Sequence, residues 1–278
     1  MLSDAYVLQH SMFMSLSDRL RSPALNVLKE EWDVLLVLDA CRYDYFRAYN
    51  TLEGELERRE SLGCCTVEWI RNTFGRRRRD ARLGRERSFP EIVYVSANPF
   101  ISGFMLGKIL GNPQPFFKVD RVWDYGWDEG WETVLPDTVT DRVLAAVEEH
   151  PDKRVIAHYM QPHSPYITSN EARDAIHGWE RVREDIKRGR VPGDQTFRGE
   201  IRLRALLEAY VGNLRLVLDS VSRLTGLSRD VRITADHGEC LGENVMNVGR
   251  VVGHPNGVHT RVLREVPWFK MRTRGSEG

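Results

Sequence analysis

The chain has few cysteines, no long apolar run and no surplus of either charge, and each absence excludes something. Its four cysteines, Cys41, Cys64, Cys65 and Cys240, contain no Cys-x-x-Cys pair, which argues against a cysteine zinc site and for a reducing compartment. Residues 1–30 lack the basic start, long apolar stretch and small-residue cleavage site of a signal peptide. The stretch Tyr6–Leu16 is too short and too interrupted to cross a bilayer, so no membrane segment is expected and a cytoplasmic location is. Forty basic and forty acidic side chains cancel, so no overall field draws the protein to nucleic acid or to a membrane surface. There is no internal repeat, and nothing fixes an oligomeric state. At 278 residues the expectation is one α/β domain over 1–278, with its core at about 33–270.

What is present is an alternation of apolar strands and amphipathic helices. Asp33–Asp39, Glu91–Ala97, Lys153–Tyr159, Val231–Asp236 and Val266–Phe269 read as strands, the last closing the sheet. Helices are expected at Ala24–Trp32, Tyr43–Glu57, Val67–Phe74, Ile101–Leu110, Asp137–His150 and Glu200–Leu224. Residues 170–198 read as a polar, exposed helical excursion and the stretch up to Gly257 as a glycine-rich loop. Such alternation implies a mainly parallel sheet covered on both faces.

Two strands stop at acidic residues: the first at Asp39, and Val231–Asp236 at Asp236, followed by His237. Ligands bind beyond the carboxyl ends of strands in open α/β sheets. Two carboxylates and an imidazole there suit a divalent ion such as zinc, manganese, magnesium or calcium, although Asp39 alone could equally be a helix cap. Thr66 precedes the helix bearing Val67, Ile70 and Phe74, whose free N–H groups would favour a phosphate; a plain N-cap threonine fits the residues as well. His163 and His254 lie in loops rich in proline and glycine. Seven arginines at 76–87 read as a solvated loop, and Phe116, Phe117, Trp123, Tyr125, Trp127 and Trp131 as a packed core edge.

Five segments, in order, resemble the alkaline phosphatase superfamily in its sulfatase-like branch. Asp39-Ala-Cys-Arg42-Tyr-Asp44 resembles the opening Asp-x-x-Arg-x-Asp, and Cys65-Thr66 through Phe74 resembles the nucleophile segment. His158-Tyr-Met-Gln-Pro-His163-Ser-Pro-Tyr166 resembles Pro-His-x-Pro-Tyr, and Asp236-His237-Gly-Glu239 resembles Asp-His-Gly-Glu. Gly253-His254-Pro with Val266-Pro267 resembles the closing His-Gly and Val-Pro segments. Glu68 departs from the pattern, standing where the family usually has proline.

The resemblance implies an alkaline-phosphatase-like three-layer sandwich, a mainly parallel central sheet with helices on both faces. It implies a metal-dependent phosphoester hydrolase or phosphotransferase. Asp39, Asp236 and His237 would be metal ligands and Thr66 the nucleophile, with Cys65 its rival. His163 and His254 would be catalytic and His158 and Arg42 substrate-binding, with Arg42 also expected to bridge to Asp44. Glu239 would orient His237 or its loop. The substrate would be a small-molecule or glycan- or lipid-linked ester. None of the four cysteines fits the formylglycine pattern Cys-x-Pro/Ala-x-Arg, which counts against a true sulfatase. No Asp stands four residues before any of the eight histidines, so a single divalent ion is expected, as the resemblance to single-metal phosphoethanolamine and lipoteichoic-acid transferases also implies. A silent binding protein on this scaffold, or a polyanion binder acting through the arginine loop, are the other readings.

Overall fold

The computed structural model describes residues 22–75, 87–176, 178–192, 201–244 and 249–274. The arginine run at 76–86, the Tyr6–Leu16 stretch and Glu200 lie outside the described residues.

In chain order the elements are β1 (Val34–Leu38), α1 (Tyr43–Tyr49), β2 (Gly54–Glu60), α2 (Thr66–Phe74), β3 (Phe89–Ser96), α3 (Gly103–Leu110), β4 (Phe116–Arg121), α4 (Val122–Tyr125), β5 (Trp127–Asp128) and β6 (Thr133–Val134). There follow α5 (Pro136–Glu149), β7 (Arg154–Tyr159), α6 (Asn170–Ala175), α7 (Trp179–Lys187), α8 (Leu203–Ser222), β8 (Val231–Thr234), β9 (Cys240–Asn244), β10 (Arg250–Gly253), α9 (Arg261–Arg264) and β11 (Glu265–Met271). Seven strands form the main sheet in the order β2-β11-β8-β1-β7-β3-β4. The pairs from β8 to β4 are parallel, and β11 runs against both its neighbours. Side chains alternate faces along a strand, yet every residue of β1 is buried. Both faces of the sheet are therefore covered, which is the α/β sandwich expected.

Several expectations are corrected. The Ala24–Trp32 lead-in is only a single 3₁₀ turn at Val27–Lys29. The helix expected to reach Glu57 stops at Tyr49, where Asn50 turns extended and accepts the Leu52 N–H through its side chain. The charged stretch after it, Gly54–Glu60, pairs with β11 as an edge strand. Its glutamates and arginines favour helix intrinsically, but pairing and edge position override that preference. β11 thus does not close the sheet; β2 does. The loop before Gly257 contains the β9–β10 hairpin. Within the 170–198 excursion the helices are present as α6 and α7, but α7 is not exposed throughout, since Trp179, Val182 and Ile186 join the main core. Of the six aromatics, Phe116, Trp123 and Trp127 are core residues, whereas Phe117 and Tyr125 are exposed.

Candidate active site

The carboxyl ends of the adjacent strands β8, β1, β7 and β3 bring together residues far apart in sequence. Asp39 follows β1, Asp236 and His237 follow β8, His158 lies in β7, and Asn98 follows β3. Thr66 opens α2 across from them. The cap position of α2 belongs to Cys65, which makes no side-chain cap bond, so the alternative of Thr66 as a plain N-cap does not apply. Two glycines allow these close approaches. A Cβ on Gly63 would lie 2.4 Å from the Trp69 nitrogen, and one on Gly238 would lie 2.0 Å from the Val262 carbonyl oxygen.

Each side chain spends one polar atom on its support and turns the other inward. Asp236 Oδ1 accepts the N–H groups of Ala40 at 3.2 Å and His237 at 3.0 Å. Its Oδ2 accepts the Thr66 hydroxyl at 2.7 Å. His237 donates Nδ1–H to the Gly238 carbonyl at 2.7 Å, which leaves Nε2 as the lone-pair nitrogen. That Nε2 lies 3.4 Å from Thr66 Oγ1, 3.4 Å from Asp236 Oδ2 and 3.5 Å from Asp39 Oδ1. Asp39 Oδ2 takes a 2.7 Å hydrogen bond from Asn98, and its buried Oδ1 has no hydrogen-bond partner.

The electrostatics make the same demand. Burial, reinforced by the Asp236 charge, holds the Asp39 carboxyl well above the usual range. Burial acts upward on Asp236 too, but His237, His158 and the Thr66 hydroxyl outweigh it and hold it below that range. Burial lowers His237 to about 4, so its ring is neutral. Two facing carboxylates, an unpartnered oxygen and a neutral imidazole fit a divalent cation. Donors about 2 Å from a tetrahedral ion stand ~3.3 Å apart, close to the spacings seen here.

His163 and His254 come together around Glu239. Its Oε1 is 3.1 Å from His254 Nδ1 and its Oε2 3.6 Å from His163 Nε2. His163 Nδ1 faces the Ser164 carbonyl at 2.7 Å. The His254 ring also lies 4.3 Å, centroid to centroid, from that of His237. Burial lowers both histidines, but for His254 the Glu239 carboxylate outweighs it and raises the pKa, whereas His163 stays lowered. Glu239 therefore couples this second pair rather than orienting His237.

Of the two residues expected to bind substrate, His158 stands beside the cleft carboxylates and Arg42 is held by acidic partners. His158 is fully buried, with Nδ1 3.1 Å from the Tyr94 hydroxyl and Nε2 3.6–3.7 Å from Asp236 and Asp39, so it backs the carboxylates. Arg42 is 4% exposed and donates to Asp44 at 2.6 and 3.0 Å, to Glu243, and to the Glu239 carbonyl at 3.2 Å. This geometry favours the bridging role over contact with a substrate. Sequence reasoning missed three supports. Asn98 fixes Asp39, and Ser61 donates its hydroxyl to the Asp236 carbonyl. Tyr210 donates to the Ala40 carbonyl at 2.8 Å and accepts the Arg42 N–H at 3.0 Å. The only signal for them was a polar residue just after a strand or inside an apolar helix stripe.

No protein-family model and no curated protein sequence matches the chain. Solved structures do. The soluble domain of lipooligosaccharide phosphoethanolamine transferase A from Neisseria meningitidis superposes with TM-score 0.51 at 16% identity, over 93% of this chain and 84% of that one. The integral membrane form of that transferase matches at 0.50 and 14%, over 98% of this chain and 54% of its own, so this chain spans about half its length. The C-terminal periplasmic domain of EptC from Escherichia coli, in complex with zinc, matches at 0.52 and 10%, over 92% and 78%. The fold is thus the one these domains share, in keeping with the α/β sandwich that the sequence implied. Because it also occurs in a periplasmic domain, it does not favour the cytoplasm. Among the described residues no helix is long and apolar enough to cross a membrane.

Proposed function

We propose that the chain is a metal-dependent phosphoester hydrolase or phosphotransferase with Thr66 as its nucleophile and a phospho-threonine intermediate. One observation carries this reading: the Thr66 hydroxyl stands at the start of α2 and points at Asp236 Oδ2, 2.7 Å away, beside the inward-facing His237 Nε2 and the unpartnered Asp39 Oδ1. Asp39, Asp236, His237 and Thr66 would hold the ion, whose positive charge lowers the pKa of the threonine hydroxyl.

Thr66 loses its hydroxyl proton to solvent, and its Oγ1 forms the bond to phosphorus while the ester oxygen departs in line. The free N–H groups of the first turn of α2 favour the phosphoryl charge. His254, held toward its charged form by Glu239, gives the departing oxygen its proton, and His163 lies beside it against the phosphoryl oxygens. Water or an acceptor hydroxyl then cleaves the phospho-threonine. The transferase from Neisseria meningitidis is named for a lipooligosaccharide, which supports a glycan- or lipid-linked substrate here. Glu68, standing where the family pattern has proline, turns its carboxylate toward Cys64 and His259, and α2 starts at Thr66.

A panel of nitrophenyl phosphate, bis-nitrophenyl phosphate and nitrophenyl sulfate, under zinc, manganese, magnesium and calcium, tests the reading. The phosphate esters should be turned over well ahead of the sulfate ester. Sulfatase activity with an aldehyde mass at Cys65 would overturn it, as would the lack of stoichiometric metal after reconstitution.

A further inference from the structure

Glu68 also belongs to a second group of side chains, outside the cleft. Cys64, just before α2, Glu68 in its first turn and His259 in the loop after β10 place a sulfur, a carboxylate oxygen and an imidazole nitrogen within 4.8 Å of one another. Glu68 is already oriented for both partners: Oε2 accepts the Cys64 N–H at 2.8 Å, and Oε1 lies 2.8 Å from His259 Nε2. Cys64 Sγ makes a long 3.9 Å contact with the Pro255 carbonyl. Cys64 is fully buried, while the His259 side chain is 47% exposed, so the group is walled on the sulfur side and open on the other.

The donor chemistry selects the ligand. A thiolate disfavours magnesium and calcium, and one sulfur, one nitrogen and one oxygen suit zinc. Donors around a tetrahedral zinc stand ~3.3–3.8 Å apart, so the group closes on an ion with small shifts, which the exposed His259 can make. Proline, the residue the family pattern places at position 68, has no donor to offer.

We propose that Cys64, Glu68 and His259 form a second metal site, which takes a zinc-like divalent ion through one donor each and leaves a fourth position to solvent. On binding, the thiol releases its proton to water and the carboxylate exchanges its histidine contact for the ion. The ion ties the segment just ahead of Thr66 to the loop that carries His254. The site is separate from the cleft, whose ligands include no sulfur.

Cobalt(II) added to the metal-stripped full chain tests this. A thiolate-to-cobalt charge-transfer absorption should appear, saturate by two equivalents in the wild type, whose cleft also takes cobalt, and by one in Asp236→Ala, and be displaced by zinc. It should vanish in Cys64→Ser, persist in Cys65→Ser, and persist in Asp236→Ala, where the cleft ion is lost. His259→Ala, at an exposed position that does not endanger folding, should weaken cobalt binding at least ~10-fold, a loss that follows even from removing a group that only supports a ligand. No band in the wild type, a band that survives Cys64→Ser, or affinity unmoved by His259→Ala overturns the proposal. The proposed reaction at Thr66 stands or falls apart from these results, since the cleft gives no sulfur band.

Discussion

Replacing Thr66 by alanine separates a chemical role from a structural one, because the structure sets the size of each. As a helix residue Thr66 costs little to remove: the cap is Cys65, so the ~0.5–2 kcal/mol of a lost N-cap does not arise. What is lost is a 2.7 Å hydrogen bond to a buried carboxylate, a contact of about 1.5–3 kcal/mol. At roughly 2–4 °C per kcal/mol for a domain approaching this size, the melting point should fall by about 3–12 °C and the fold should persist. Turnover of nitrophenyl phosphate should fall by about a thousandfold or more, as when a member of a catalytic unit is deleted. The phosphate adduct on the Thr66 peptide, trapped by acid quench and read by mass spectrometry, should disappear. Cys65→Ser should be mild, since burial raises the Cys65 thiol and its Sγ faces Asn256 Oδ1 at 3.6 Å. A folded, metal-loaded Thr66→Ala that keeps within roughly tenfold of wild-type turnover would refute the reasoning. If Cys65→Ser were dead in the same assay, the nucleophile would be Cys65.

Three further outcomes are expected. Glu239 raises His254, so Glu239→Gln should lower the His254 pKa and move the alkaline limb of the kcat profile to lower pH; an unmoved limb means that His254 is not the acid. Tyr210→Phe strips a buried Ala40 carbonyl and Arg42 N–H of their partner and should cost about 1–3 kcal/mol in urea unfolding with an unchanged slope. Burial and Asp236 raise the Asp39 pKa above 3.8, so in metal-stripped protein its contribution is full below that pH and is lost as pH climbs through the raised value. Relative to Asp39→Asn, the stripped protein should therefore weaken as pH rises from 3.8, and metal should tighten over the same window; parallel melting curves for the two would contradict this.

The strands that carry the site were legible because buried parallel strands are apolar throughout. β1 is such a run, β8 is one apart from Arg232 and Thr234, and the acid just beyond each marks where it leaves the core. The Asp-His-Gly-Glu and Pro-His segments named the cleft residues because each packs several functions into neighbouring positions. What was hidden depends on partners distant in sequence. Gly54–Glu60 has the composition of a surface helix and becomes a strand only because β11 offers it an edge. Trp179 looked like one aromatic in a polar stretch and is buried only because α7 lies on the main core. The roles of Arg42 and His158 turned on direction, which side faces the cleft and which faces the sheet, and residue type carries no such information.

Tyr210 and Asn213 stand one turn apart on α8. The first holds the Ala40 carbonyl and the Arg42 N–H. The second donates to the His163 and Pro165 carbonyls at 3.0 and 2.9 Å and accepts the Ile167 N–H at 3.0 Å. The loop after β1 and the loop after β7 are thus bolted to a single turn of helix, which acts as a gauge block between them. Any displacement of that turn carries both loops together and preserves the spacing from Asp39 to His163. A substitution that moves Tyr210 or Asn213 therefore disturbs the Asp39 and His163 ends of the cleft at once, although neither side chain enters it.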